Sequence, residues 1–178
     1  MTRMSSPRVS SWAALCWLLL GILALAWTAV VPASLRLVYN ASDSAPRGFY
    51  MVRPAVDLRV GDYVVARLPE AAARLAAARG YIPQSVPVLK QVAATEGRIV
   101  CVRDGVVALD DVVVAQARRV DGQGRRLAPW NHCRRLVANE LFLLNLARPD
   151  SFDSRYFGPV DASFVRGRAI PLFVVLTP

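Results

Sequence analysis

The chain has 178 residues, enough for one folded domain with an appendage, and a net charge of +9. All 22 of its basic residues are Arg except Lys90. The Arg pairs are scattered and no aromatic residues are arranged between them, which argues against a nucleic-acid surface. We interpret the charge as a solvated basic exterior, or as one suited to anionic lipid headgroups.

Residues 12–31 form an apolar run of twenty residues without a formal charge. This is the length that a helix needs to cross a bilayer. Trp12 and Trp27 fall near its two ends, as interfacial residues do, and Arg3 and Arg8 precede it. The pattern predicts a single transmembrane helix with a cytoplasmic N-terminus and everything after it exported.

A cleavable signal peptide is the alternative, because small residues at Val31–Ala33 resemble a cleavage site. The apolar run is longer than the usual h-region of 7–15 residues, which favours a retained anchor. We therefore expect a cytoplasmic N-terminus at 1–11, an anchor at 12–31 and an exported domain at 32–178.

The exported part opens with Asn40–Tyr50, which reads Asn-Ala-Ser-Asp-Ser-Ala-Pro-Arg-Gly-Phe-Tyr. Pro46 has no N–H group and Gly48 favours turns, so a helix or a central strand is disfavoured here. The segment predicts a rigid loop that holds Ser44 in a fixed pose. An ordinary surface turn is the alternative.

Most of the remaining chain consists of short runs rich in β-branched residues and separated by Gly or Asp. One Ala-rich helix, Pro69–Arg79, interrupts them and is stopped by Gly80. The predicted fold is mainly β, a single domain with a short helical insertion. The predicted strands are 49–52, 63–67, 86–93, 98–103, 106–109, 141–145 and 171–176.

Two of the three cysteines, Cys101 and Cys133, fall in the exported part, and Cys16 falls in the predicted span. Disulfides persist outside the cytoplasm, so a Cys101–Cys133 bridge is expected, with two buried free thiols as the alternative. Neither cysteine has a His or Cys at ligand spacing, and we predict no metal or cofactor.

Lys90 lies in a Val-rich run in which strand alternation places Val86, Val88, Lys90 and Val92 on one face. Desolvation on an apolar face lowers the pKa of a lysine towards the range of a general base. A neutral Lys can activate a hydroxyl, so Ser44 and Lys90 form a candidate catalytic pair. The alternative is an edge-strand Lys that blocks aggregation.

The single His, His132, lies in an apparent loop end, and we assign it no catalytic role. Near the C-terminus, alternation in Ser151–Pro159 would place Ser151, Asp153 and Arg155 on one side. Asp153 and Arg155 can then pair bidentately, and Ser151 can bond to the amine of Lys90. The alternative is a structural turn with a salt bridge.

These features together resemble the type I signal peptidase family, and more closely its conjugative-transfer branch, the TraF-type peptidases. The first sequence motif of that branch, Asn-x-Ser-x-Ser-x-Pro-x-Gly-x-Tyr, is matched by Asn40–Tyr50. Its last motif is matched by Ser151–Pro159. The resemblance covers Val38 to Ile170. It implies Ser44 as nucleophile, Lys90 as general base and Asp153 as a supporting residue.

The resemblance further implies that Ser42 completes the oxyanion hole and that Ser151 orients Lys90. It implies the β-rich signal-peptidase fold and a serine endopeptidase of the inner membrane with a periplasmic catalytic domain. Its substrate would be a membrane-embedded pilin precursor, cleaved after small residues and in some members cyclised. Lipid and the proteins of a transfer apparatus are the other implied partners.

Two departures from the general signal peptidases are visible. The general signal peptidases have one more residue between the catalytic Ser and the Pro. They also have a Gly-Asp-Asn-like run where this chain has Asn145–Ala147. These departures argue against the first alternative, a general signal peptidase. The second alternative is a membrane-tethered assembly protein without activity, which the intact Ser44, Lys90 and Asp153 argue against.

Overall fold

The computed structural model of the chain describes residues 11–30, 37–42 and 45–175, and in the first range the side chains of residues 12–27. By its contacts the chain divides into two compact units, residues 1–34 and 35–178. Arg3 and Arg8, which precede the predicted span, and the possible cleavage site at Val31–Ala33 lie outside the described residues.

The first unit contains one described helix, α1, over Ser11–Val30. Large apolar side chains on it, such as Trp12, Leu18 and Trp27, are exposed. When only the described residues are counted, no helix has the length and hydropathy that a membrane span requires. The helical run is thus confirmed, and its crossing of a membrane stays a prediction.

The second unit is mainly β, as predicted, and its described residues form two sheets with two α-helices and one 3-10 turn. In chain order the elements are β1 (Leu37–Asn40), β2 (Arg47–Arg53), β3 (Tyr63–Ala66), α2 (Glu70–Ala78), β4 (Val88–Ala94), β5 (Ile99–Arg103), β6 (Val106–Leu109), β7 (Val112–Gln116), β8 (Cys133–Arg135), β9 (Glu140–Leu144), α3 (Ser154–Phe157), β10 (Val160–Asp161), the 3-10 turn (Ala162–Phe164) and β11 (Val165–Val175).

The larger sheet has seven strands in the order β1-β2-β11-β3-β4-β9-β10. Its long strand β11 pairs antiparallel with β2 along one part and with β3 along another. Gly48 has φ +146°, and a Cβ there would clash with the main chain of Phe173, so only glycine lets β2 approach β11 this closely. Tyr50, Val65 and Leu89 fill the core between these strands.

The smaller sheet has four strands in the order β7-β6-β5-β8. Its buried residues Val100, Val102 and Val107 pack with Phe142 and Leu144 of β9, so the two sheets share one apolar core. In β5 and β6 the buried residues alternate with half-buried or exposed ones, so each strand turns one face towards this core.

Helix α2 begins after Pro69 and ends before Gly80, which has φ +70°. Ala is the best helix former, and the buried Ala72, Ala73 and Ala76 pack closely against Phe152 and Phe157. The predicted insertion is therefore confirmed, one residue shorter at each end.

Several sequence-based boundaries were wrong. The strand predicted to start at Val86 starts at Val88, and Val86 lies exposed before it. The last strand starts at Val165, six residues earlier than predicted. Strands β1, β7, β8 and β10 were not predicted, because short strands such as Cys-Arg-Arg of β8 carry too few residues for a period of two to show.

Cys101 and Cys133 are direct partners in the β5–β8 pairing, and the predicted disulfide between them is present. Their Cα atoms lie 4.0 Å apart and the sequence separation is 32. The bond therefore ties β8, an edge strand of only three residues, to the centre of the smaller sheet.

Closing a loop of this length is expected to stabilise the fold by about 3–4 kcal/mol, because the bond restricts the conformations of the unfolded chain. The double variant Cys101→Ala/Cys133→Ala should lose that free energy of unfolding in urea titrations, whereas Cys16→Ala should not. Non-reducing peptide mapping should find residues 101 and 133 linked. Two alkylatable thiols in protein from its native compartment would contradict this.

Candidate active site

Lys90 lies in the middle of β4, a central strand of the larger sheet, opposite Val64 of β3. The strand neighbours Leu89 and Val92 are buried, and Lys90 itself is 4% exposed. An edge-strand Lys that blocks aggregation would instead face solvent, so that alternative is excluded by the position of β4.

The amine of Lys90 donates a hydrogen bond to Ser151 Oγ at 2.6 Å. Burial lowers the pKa of Lys90 to about 8, while Asp153 acts to raise it, Arg155 to lower it and Asp150 to raise it. Burial is the largest of these causes, and the charges of Asp153 and Arg155 act in opposite directions. The predicted Lys90–Ser151 contact is therefore present, with a lysine that loses its proton far more easily than one in water.

Asp153 and Arg155 form a fully buried ion pair, with exposed fractions of 0% and 1%. Arg155 Nε lies 2.8 Å from Asp153 Oδ1, and Nη2 lies 2.7 Å from Oδ2. Two parallel charge-assisted bonds of this kind fix both side chains in orientation as well as distance. The predicted bidentate pairing is confirmed.

The pair forms because the chain turns here, and the expected strand alternation was wrong. Asp153 is the N-cap of α3, and its Oδ1 accepts from the main-chain N–H of Arg155 at 3.2 Å. The first turn of a helix brings residues two apart around to the capping side chain. Gly158, with φ +77°, ends the helix, and a Cβ there would clash with the ring of Trp130.

Arg155 also holds the loop that leads from β9 to Ser151. Its guanidinium donates to four main-chain carbonyl groups, those of Asn145 (3.0 Å), Arg148 (2.9 Å), Pro149 (3.1 Å) and Gln116 (3.3 Å). Asp153 Oδ2 accepts from Asn145 N–H at 3.0 Å. Both ends of the 145–153 loop are thus tied to one buried pair.

Asn145 and the carbonyl contacts of Arg155 were missed by the sequence reasoning. Asn145 directly follows β9, whose Leu144 pairs with Gln91, the residue after Lys90. Its position could have indicated this role, because Asn145 is a polar residue that ends a buried strand and precedes a loop with a Pro. It places the start of the loop beside the lysine strand.

The candidate nucleophile Ser44, with Asp43, lies outside the described residues, and its role stays a prediction. Ser42 is exposed, and its Oγ donates to Asn40 Oδ1 at 2.9 Å. A hydroxyl has one hydrogen to donate, so Ser42 must turn away from Asn40 to serve an oxyanion.

His132 is exposed at the start of β8, where its ring centroid lies 5.2 Å from that of Trp130. The main-chain carbonyl of His132 accepts from Val102 N–H at 2.7 Å. These contacts belong to the smaller sheet, whereas Lys90 lies in the larger one.

Comparison with known proteins gives consistent matches. The family model described as signal peptidase, peptidase S26, matches residues 9–174. The conjugal transfer protein TraF of Agrobacterium fabrum is 32% identical over 146 residues, which are 75% of this chain and 80% of that protein. The probable conjugal transfer protein TraF of Sinorhizobium fredii is 32% identical over 142 residues, 73% of either chain.

Among solved structures, a signal peptidase I of Enterococcus faecalis is similar, with 19% sequence identity and a TM-score of 0.39. The match covers 64% of this chain and 97% of that chain.

The lowered pKa of Lys90 predicts a pH dependence of stability. Its folded-state pKa of about 8 lies below the unfolded value of 10.5, so between these values the unfolded chain binds more protons. Stability attributable to Lys90 is therefore lowest below pH 8 and rises towards pH 10.5, by about 3 kcal/mol in all.

Lys90→Met keeps most of the length of the side chain and removes its titrating amine. The free energy of unfolding of this variant minus that of wild type should fall by about 3 kcal/mol between pH 7 and pH 10.5. Urea titrations of both proteins at each pH measure it. A difference that stays constant across this range would show that the pKa of Lys90 is not lowered.

Proposed function

The chain belongs to the signal peptidase S26 family, and from that premise we propose that it is a membrane-anchored serine endopeptidase with a Ser44–Lys90 dyad. One observation carries the proposal. The amine of Lys90 is buried, its pKa is lowered to about 8, and it lies 2.6 Å from Ser151 Oγ beside a buried Asp153–Arg155 pair. Membership of the family makes the chain a serine peptidase, and this lysine is the group best suited to activate the serine.

We assign the first chemical step to Ser44 and Lys90. Neutral Lys90 takes the proton of the Ser44 hydroxyl while Oγ bonds to the carbonyl carbon of the scissile peptide. The carbonyl π electrons move to the oxygen and form a tetrahedral oxyanion. As that intermediate collapses, the C–N bond breaks and the Lys90 ammonium returns its proton to the leaving amine. The product is an ester of Ser44.

In the second step the ester is released. Lys90 takes a proton from a water molecule, whose oxygen attacks the ester carbon, and then returns a proton to Ser44 Oγ as the C–O bond breaks. An amine at the other end of the same peptide can replace water as the nucleophile. The product is then a cyclic peptide, and the proton balance is unchanged.

The remaining predicted residues support these steps. The backbone N–H of Ser44 and the hydroxyl of Ser42, once turned from Asn40, donate to the oxyanion. Ser151 accepts from the Lys90 amine and so aims the nitrogen lone pair. Asp153 and Arg155 keep Ser151 in place through the loop that they hold.

The relatives named conjugal transfer protein TraF support a role in conjugation. We therefore propose that the substrate is the pilin precursor of a conjugative transfer system, cleaved after a small residue such as Ala. Membrane lipid and other proteins of the transfer apparatus are the proposed partners.

We place the peptidase domain in the periplasm, with residues 12–31 as its single inner-membrane anchor. The twenty uncharged residues and the helix α1 over Ser11–Val30 support this assignment. The preceding Arg3 and Arg8 support a cytoplasmic N-terminus.

Removal of the nucleophile tests the function directly. With a pilin precursor co-expressed and its mass measured, Ser44→Ala should abolish processing. Ser42→Ala, which removes one oxyanion donor, should slow it by about 10²–10³-fold. The exposed Ser85→Ala serves as the matched control and should process normally.

Full processing by Ser44→Ala would overturn the assignment of the nucleophile. Processing of many exported proteins at the rate of the pilin precursor would identify a general signal peptidase instead. If the precursor stays uncleaved in the presence of the wild-type protein, the result would support the alternative of a membrane-tethered assembly protein without activity.

The topology has its own test. A reporter that is active only in the periplasm, fused after Pro178, should be active, and the mature protein should retain residues 12–31 in its mass. A reporter that works only in the cytoplasm should be silent at the same position. A silent periplasmic reporter together with an active cytoplasmic reporter would refute the orientation. A mature N-terminus near Ala33 would refute the retained anchor.

A further inference from the structure

Asn40 is the last residue of β1, opposite Gly48 of β2, and its side chain is only 6% exposed. Residues 41–46 connect the two strands, so this side chain lies at the mouth of a hairpin. A primary amide in such a place has two N–H groups and one carbonyl oxygen to satisfy.

The amide of Asn40 contacts both limbs of the hairpin loop. On the incoming limb, Nδ2 donates to Ser42 O at 2.9 Å, and Oδ1 accepts from Ser42 Oγ at 2.9 Å and from Ser42 N at 3.3 Å. On the outgoing limb, Nδ2 donates to Ala45 O at 2.8 Å and to Pro46 O at 3.3 Å. A flipped amide would set Oδ1 against these carbonyl oxygens, so the bonds fix its orientation.

A second side chain fastens the outgoing limb. Tyr50 is fully buried in the core, and its hydroxyl donates to Pro46 O at 2.7 Å. Burial, with the nearby Tyr63, raises the pKa of Tyr50 to about 12, so the hydroxyl keeps its proton at neutral and mildly basic pH. The carbonyl oxygen of Pro46 thus accepts two hydrogen bonds, one from the buried Tyr50 and one from Asn40.

We propose that Asn40 is a positioning residue for the reaction, because it fastens Ser42 before Ser44 and Ala45 and Pro46 after it. The inference rests on the proposed function, in which Ser44 is the nucleophile. In sequence only Asp43 and Ser44 separate Ser42 from Ala45, the two residues that Asn40 ties together.

Positioning of this kind acts on the rate of the chemical step rather than on binding. An error of about 1 Å in the approach of a nucleophile costs on the order of 10²-fold in rate. Asn40 makes no covalent bond and exchanges no proton in the reaction. Its loss should therefore lower kcat and leave the pH at which Lys90 loses its proton unchanged.

Two variants separate the functions of the amide. Asn40→Ala removes every contact of the amide. Asn40→Asp has nearly the same shape and keeps the acceptor for the Ser42 hydroxyl, but it cannot donate to the main-chain carbonyl groups of Ser42, Ala45 and Pro46. Asn131→Asp, at an exposed loop position, is the matched control for the substitution.

The test uses the full chain in detergent and a quenched peptide with Ala-x-Ala before its scissile bond, the small-residue pattern of signal cleavage sites. Asn40→Ala and Asn40→Asp should each lower kcat about 10²-fold, with KM within twofold of wild type and cooperative unfolding retained. The midpoint of the pH–rate profile of Asn40→Ala should stay where it is in wild type. Asn131→Asp should match wild type throughout.

A kcat within threefold of wild type in either folded variant would overturn the inference, as would a change confined to KM. Failure of both variants to fold would make Asn40 a folding residue and would overturn it too. Ser44→Ala, assayed in parallel, keeps the two proposals apart. An active Ser44→Ala refutes the proposed function, whereas an inactive one beside fully active Asn40 variants refutes only the positioning role.

Discussion

The buried ion pair of Asp153 and Arg155 is the constraint on which the candidate site depends. Neither side chain reaches solvent, and their hydrogen bonds run to each other and to main-chain groups. Removal of one partner from such a pair leaves an uncompensated buried charge, at a typical cost of 3–5 kcal/mol. The chain is therefore held in the one arrangement that brings Ser151 to Lys90.

The pair also governs the charge felt by Lys90. An unpaired carboxylate at position 153 would stabilise the ammonium, whereas the guanidinium of Arg155 acts in the opposite direction. With both present, burial in the centre of the larger sheet dominates, and the lysine titrates near pH 8. A sheet that is apolar on both sides thus creates the base, and the ion pair prevents a nearby acid from cancelling the effect.

Much of this site could be predicted from the sequence, because its parts are carried by short patterns. A single Lys in a Val-rich strand predicts desolvation, and Asp153 and Arg155 lie close enough in sequence to meet. The Cys101–Cys133 bridge followed from compartment alone. The four carbonyl contacts of Arg155 and the clamp of Asn40 on Ser42 and Ala45 could not be found in this way, since they depend on where loops fold back in space.

The proposed mechanism depends on one proton, the one that Lys90 must lose before Ser44 can attack. The most direct measurement is the cleavage rate of the quenched peptide against pH, for wild type and for Lys90→Arg. Arg keeps the charge and much of the side-chain stem but does not release its proton. The wild-type rate should rise with pH through a midpoint near 8, and folded Lys90→Arg should be inactive at every pH. Cleavage by Lys90→Arg at near the wild-type rate, or a wild-type rate that does not change across this range, would contradict the account.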